Sequence, residues 1–240
     1  MRWFRFYDER MTDTSSRGVS PRRVLADHVY DSLLESLVDG RLTAGSPLNI
    51  DALSRELEVS QTPIREALAR LESTGLVTRA ALKGYRVAPL FTAQDLAHLT
   101  DARLLIEAEN AYLACRRVDD ELIAGLTQAI EDLRTAPRGG SFAEFRTYWE
   151  ADERFHRLIA SAAGNPFLHT AYLSLGGQVQ RFRLFAGLGV TDAEHAIAEH
   201  TAVLEAFVAG DPDAARAAMS THIGGVKTRS VRESQERDEA

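Results

Sequence analysis

Ile64, Ala67, Leu68 and Leu71 recur at i, i+3, i+4 and i+7, the spacing of a helix that buries one face on a small core. At about 100° per residue they share one third of the helix circumference. Gln61, Thr62, Arg65, Glu66 and Ala69 fall on the other side. Ser60 suits the N-cap, and Pro63 sits in the first turn, where a missing N–H costs little. Gly75 ends the helix.

The flanking pattern extends this picture. Val24 to Val38 predicts a helix with Ala26, Val29, Leu33, Leu34 and Leu37 inward, stopped by Gly40. Residues 41–49 read as a loop. Asp51 to Leu57 predicts a short helix, and Glu58-Val59 a tight turn. Short helix, tight turn and amphipathic helix form the helix-turn-helix order. Val77–Ala80 and Tyr85–Ala88 alternate as strands of a hairpin with Lys83 and Gly84 at its tip. A basic hairpin in that place is a wing. The exposed first turn then offers Ser60, Gln61, Thr62 and Arg65, groups that suit phosphates and base edges in a major groove. Lys83 and Gly84 would reach a neighbouring phosphate; the plainer reading of Lys83 is a solvated turn lysine.

Beyond Pro89 only helical periods occur. Thr92 caps a helix to about Arg116, with Leu96, Leu99, Arg103, Ile106, Asn110 and Leu113 as its inner stripe. Further helices span Asp119–Thr135, Ser141–Ala163 and Phe167–Ala186. Two more follow: one to Ala209, opened by a Thr191/Glu194 capping box, and one from Pro212 to about Val231. The expected class is mainly α: an N-terminal winged helix-turn-helix with a small β hairpin, then an all-α antiparallel bundle. Residues 1–21 are expected to be a disordered leader, with Met11 an alternative start. Residues 22–90 would form the DNA-binding domain, 91–231 the helical domain and 232–240 a disordered tail.

Composition changes this picture at two points. Net charge is −7, unusual for a nucleic-acid binder, but it is unevenly spread. Residues 1–90 hold 13 Lys+Arg and 12 Asp+Glu, a net of +1; the remainder holds 15 and 23, a net of −8. Local charge governs phosphate contact within a Debye length. The single cysteine, Cys115, leaves no intrachain disulfide and no cysteine-based zinc cluster. It fits a reducing, cytoplasmic interior, and no apolar run reaches membrane-spanning length.

Four ionisable residues stand where apolar ones are expected. Asp152 and His156 are i, i+4 and share a face with Trp149 and Ile159. His200 lies in a stripe with Ile197, Leu204 and Phe207, and His222 lies with Met219 and Val226. A buried unpaired carboxylate costs several kcal/mol. One divalent metal would satisfy all four, since imidazole and carboxylate are standard ligands for zinc and similar ions. The plainer reading is an ordinary hydrogen-bonded core histidine at each position. His28, His98, His169 and His195 show no shared arrangement and read as surface or helix-edge residues. Arg103 is a fifth anomaly on an inner stripe. It is either half of a buried salt bridge with Glu107 or a fork for a ligand carboxylate. Arg181 is a candidate second anion clamp or a surface residue. Asn165 is a candidate ligand contact or a turn-forming asparagine.

The string LSRELEVSQTPIREALARLESTGLVTRAALKGYRV closely resembles the winged-helix domain of the GntR family of bacterial repressors. Val59, Ser60, Thr62, Pro63, Arg65, Glu66, Ala67, Leu68, Arg70, Leu71, Gly75, Leu76, Gly84 and Val87 match the family pattern. Gln61 departs from the usual arginine, exchanging a guanine or phosphate contact for adenine readout. The second half resembles the FadR-type, or FCD, branch through Arg103 with Glu107, Asp152 with Phe155-His156, Gly164-Asn165, Glu199-His200 and His222. The resemblance implies a metal on Asp152, His156, His200 and His222, with zinc the first choice and nickel or manganese alternatives. It also implies a pocket lined by Arg103. The expected protein is a homodimeric repressor that reads a double-stranded operator and senses a small carboxylate effector, and is not an enzyme. The rivals are a metal-dependent enzyme fused to a DNA-binding domain, and a regulator whose metal is purely structural.

Overall fold

A computed structural model describes residues 21–80, 84–138, 142–185 and 192–239. Residues 1–20 of the expected leader, Lys83 and Thr191 lie outside the described residues, while Pro21, expected to end the leader, opens the first helix. The first unit comprises α1 (Pro21–Val38), β1 (Pro47–Leu48), α2 (Ile50–Glu56), α3 (Gln61–Ser73), β2 (Val77–Ala80) and β3 (Gly84–Val87). The five inward residues expected in α1 are buried. Four of them, Val29, Leu33, Leu34 and Leu37, meet Ile64, Ala67, Leu68 and Leu71 of α3, with Leu53, Leu76, Val77, Tyr85 and Val87, in one core. The wing pairs in register from Val77 opposite Val87 to Ala80 opposite Gly84.

Three details differ from expectation, and the expected tight turn at Glu58 has an unusual backbone. β1 adds a third strand, pairing antiparallel with β3 so that the sheet order is β1-β3-β2; the sequence reading treats it as loop because two residues carry no period. Gly84 belongs to β3, at φ +75°, rather than to the hairpin tip. Ser60 holds the N-cap position of α3 but makes no side-chain cap bond. The turn before α3 places the non-glycine Glu58 at φ +54°, a left-handed conformation unfavourable for a side chain. Ser54 closes that turn, its hydroxyl donating to the Val59 carbonyl.

The second unit is wholly helical among the described residues: α4 (Ala93–Cys115), α5 (Asp120–Thr135), α6 (Phe142–Ala162), α7 (Pro166–Phe185), α8 (Ala193–Ala209) and α9 (Pro212–Glu239). α4 runs against α9, and α5, α6 and α8 complete a core containing Leu126, Leu133, Phe155, Ile159, Phe207 and Met219. Thr92 and Asp95 form a full capping box on α4. Asp119 caps α5, and Asp192 rather than Thr191 is the N-cap residue of α8.

The buried face of α4 is rotated from the expected stripe. Leu96, Arg103 and Asn110 are buried, but Thr100, Glu107, Ala111 and Ala114 accompany them, and Leu99, Ile106 and Leu113 are only half-buried. On α6 Tyr148 is buried, as is Phe155, while Trp149, expected to face inward, is only half-buried. The expected disordered tail at 232–240 is helix through Glu239, with Ser234 buried. Ser234 and Arg237 both donate to the carbonyl of Phe91, in the link between the two units. That docking explains why so polar a segment stays ordered.

Candidate metal centre and DNA-reading face

The first turn of α3 leaves Ser60, Gln61, Thr62 and Arg65 exposed while Pro63 and Ile64 are buried. The apolar stripe thus turns the polar side of the helix outward. Gln61 is engaged at both ends of its amide: it donates to Asp51 at 2.5 Å and accepts from Arg65 at 3.3 Å. Asp51 on α2 therefore helps aim the side chains of α3, a role that sequence spacing alone does not reveal. Gly84 is exposed on β3 beside the outward Arg86, whose guanidinium donates to the Gly45 carbonyl at 2.6 Å.

In the bundle, α6 carries Asp152 and His156, α8 carries His200 and α9 carries His222. All four are buried, His200 and His222 completely. The three imidazoles converge. His222 Nε2 lies 3.3 Å from His200 Nε2 and 3.3 Å from His156 Nε2, and the three rings form a compact group of potential metal ligands. Asp152 Oδ1 stands beside them, 3.8 Å from His200 Nε2. Phe155 stacks flat on His200, with centroids 4.2 Å apart. Of the remaining histidines, His28, His98 and His195 are exposed, and the half-buried His169 lies near Ser161.

This donor set fits a divalent ion. Two nitrogens about 2.0–2.1 Å from one tetrahedral ion are about 3.3–3.4 Å apart, which matches the spacings around His222. The three imidazole nitrogens come together in a buried place.

The far side of each outer ring is also built. His222 Nδ1 is hydrogen-bonded to Glu199 Oε2 at 2.8 Å. Arg229 grips Glu199 through two bonds of 2.8 and 3.0 Å. His156 Nδ1 lies 2.6 Å from Glu107 Oε2, and Arg103 Nε donates to Glu107 Oε1 at 2.5 Å. Burial alone would raise both carboxyl groups. The basic partners prevail: Glu199 is held down at about 2 by His222 and Arg229, and Glu107 well below the usual carboxylate range by Arg103 and His156. Burial pushes the His222 imidazole below its ordinary value, against the pull of Glu199.

Arg103 therefore makes the salt bridge that was one of its two readings. It also lines a cavity of about 10 Å³ beside Asp152, Glu153, His156, Tyr172 and Val179, room for about one water. The Tyr172 hydroxyl donates to Glu153 at 2.9 Å across that cavity. Burial raises the Glu153 carboxyl, against that hydrogen bond. Glu153 also borders an outer groove of about 600 Å³ lined by Trp149, Arg154 and Arg157.

Asn165 takes the turn-forming role that was one of its two readings. Its Oδ1 accepts from the backbone N–H groups of Phe167 and Leu168 at 3.1 and 3.2 Å, which caps α7, and it is not among the residues around the small cavity. The side chain of Arg181 lies outside the described residues. Glu153, Tyr172 and Arg229 had no assigned role in the sequence reading. Their relevance depends on which helices meet, and no local signal marks them.

Comparison with known proteins follows this division of the chain. Residues 25–87 match the model for bacterial regulatory proteins of the gntR family, and residues 98–225 match the FCD domain. The chain is 29% identical over 213 residues to a probable D-xylose utilization operon transcriptional repressor of Paenarthrobacter nicotinovorans, covering 88% of this chain and 90% of that protein. It is 25% identical over 210 residues to the transcriptional repressor RspR of Escherichia coli K12, covering 88% and 90%. The fold resembles that of E. coli McbR/YncC, with a TM-score of 0.65 at 21% identity over 89% of this chain and 98% of that one. These relatives are transcriptional regulators rather than enzymes. Among the described residues, no helix is long and apolar enough to cross a membrane. With its reading helix in the first match and its histidine cluster in the second, the chain belongs to the gntR family of bacterial transcriptional regulators and carries an FCD domain as its second half.

Proposed function

We propose that this regulator is a cytoplasmic, homodimeric repressor whose two winged helices read a short pseudo-palindrome. Its helical domain holds a divalent metal, zinc by preference, on Asp152, His156, His200 and His222. The observation that carries the metal reading is the convergence of three buried imidazole Nε2 atoms, two pairs of them 3.3 Å apart. The ion would supply a Lewis-acid site for adjacent oxygens of a small hydroxy, keto or sugar acid. Ser60, Gln61, Thr62, Arg65, Lys83 and Gly84 make the operator contacts in this reading. Arg103 serves the effector indirectly, through Glu107, and by walling the cavity.

The small cavity bears on how an acid would enter. At about 10 Å³ it is smaller than an organic acid, which would enter by displacing a wall such as α7, the helix that supplies Tyr172 and Val179. An effector would then favour the opened arrangement only by its differential affinity for it. Arg237 and Ser234, on the same helix as His222, hold the Phe91 carbonyl and offer a route from the metal to the link. The tight cavity equally favours a second reading, in which the metal is purely structural.

Operator binding and ligand binding test these points separately. Arg65→Ala is expected to abolish specific retardation of a promoter fragment while circular dichroism stays unchanged. Near-parent affinity would refute the placement of the reading face. Calorimetry of the zinc-loaded protein with a panel of organic acids separates the sensor from the structural metal, since heat with any acid excludes the purely structural role.

A further inference from the structure

Two of the three clustered imidazoles have a carboxylate on the ring edge facing away from the cluster, and each carboxylate is gripped by an arginine. On one side the series is Arg229, Glu199, His222, with hydrogen bonds of 2.8 and 3.0 Å and then 2.8 Å. On the other it is Arg103, Glu107, His156, with separations of 2.5 and 2.6 Å. The two series use α8 with α9 and α4 with α6, so four different helices lock the rings.

Gly225, three residues after His222 on α9, gives independent evidence that one series is built in. A Cβ there would stand 2.5 Å from Glu199 Oε1 and 2.8 Å from Arg229 Nη1. The missing side chain is the space in which the Glu199–Arg229 pair sits. A glycine within a helix costs about 0.5–1 kcal/mol relative to alanine, and the packed pair accounts for tolerating it here.

We propose that Glu199 and Glu107 are positioning residues for the metal centre. By accepting the Nδ1–H of His222, Glu199 selects the tautomer whose unprotonated Nε2 faces the common point, and Glu107, 2.6 Å from His156 Nδ1, is placed to do the same for the second ring. Arg229 and Arg103 hold each carboxylate in place, and Gly225 makes room for the first pair. His200 is oriented differently, by stacking on Phe155 at an interplanar angle of 11°. The proposal rests on the metal reading above but makes a separate claim, that ring orientation and tautomer are set before any ion arrives. Partners of this kind affect metal affinity by about 10–100-fold.

The test uses the full chain and zinc as the probe. Glu199→Gln is the principal variant, because Glu199 is partly exposed and a glutamine fits its place. Glutamine can present either its carbonyl or its NH2 to Nδ1, so it no longer dictates the tautomer. Zinc affinity by chelator competition is expected to fall about 10–100-fold, and Gly225→Ala should reproduce the loss by displacing the pair. In zinc-free protein, long-range proton–nitrogen NMR of His222 should show one Nδ1–H tautomer in the parent and a mixture in Glu199→Gln. A purely structural role for Glu199 would not produce that change. An unaltered zinc affinity together with an unaltered tautomer would overturn the proposal. A parent chain that binds no zinc would sink the metal reading instead, and the zinc-free tautomer measurement would still decide the claim about Glu199. Glu107→Gln, which leaves Arg103 an acceptor, provides the same comparison at His156.

Discussion

At His222 the two ring nitrogens meet different chemistry: Nδ1 faces Glu199, and Nε2 faces two other imidazoles. A residue on an apolar stripe can be recognised as anomalous from its position alone, and all four candidate ligands were legible in that way. Their partners were not. Glu107 and Glu199 are far from His156 and His222 in sequence, and nothing local links them. His200→Ala tests the assignment at this scale. It removes one of the three imidazoles, and metal analysis after dialysis is expected to show clearly less bound zinc than in the parent. Equal metal content would remove His200 from the ligand set. Truncating this fully buried ring also opens a cavity, so a loss of thermal stability is expected alongside.

Single elements show where periodicity succeeds and where it misleads. The stripe of α3 was exact because that helix packs on one small core with one face. α4 packs against three helices, α9, α6 and α7. Its buried arc is broad and includes small residues such as Ala108, Ala111 and Ala114, while Leu105 is 77% exposed. A rule that follows large apolar residues therefore picks a stripe one position off. The start of α7 gives a decisive case. Asn165 caps it, and Pro166 occupies the first helical position, where proline is favoured. Asn165→Ala is expected to cost about 1 kcal/mol in chemical denaturation, the usual value of such a cap, and to leave zinc affinity unchanged. A variant with parent stability and impaired metal or acid binding would restore the ligand-contact reading.

Across the whole molecule, the two units touch through more than their link. α1 packs against α6 and α7, and Arg146 of α6 lies 3.8 Å from Asp31 of α1. Gln178 of α7 rests against Gly75, the left-handed residue that ends the reading helix. The end of α9 clamps Phe91 through Arg237 at 3.1 Å, so one helix extends from a candidate metal ligand to the joint between the units. If that helix carries a signal, Arg237→Ala should bind zinc like the parent and show a smaller difference in operator affinity between zinc-loaded and chelator-treated protein. Fluorescence anisotropy with a labelled promoter fragment measures both affinities. A difference as large as that of the parent would exclude the clamp as the route.

The amino-acid order alone determined the two-part layout, the amphipathic helix with a polar first turn outward, the helical class of the second unit and the charged residues hidden on apolar stripes. Those features depend on neighbours within a turn or two, where spacing is geometry. Tertiary structure decided that three imidazoles meet at one point, which carboxylates stand behind them, how little room remains beside Arg103, and that a polar C-terminal stretch stays helical by docking on Phe91. Each of these is a contact between distant helices, set by crossing angles and by the packing of small residues, and a local repeat carries no record of either.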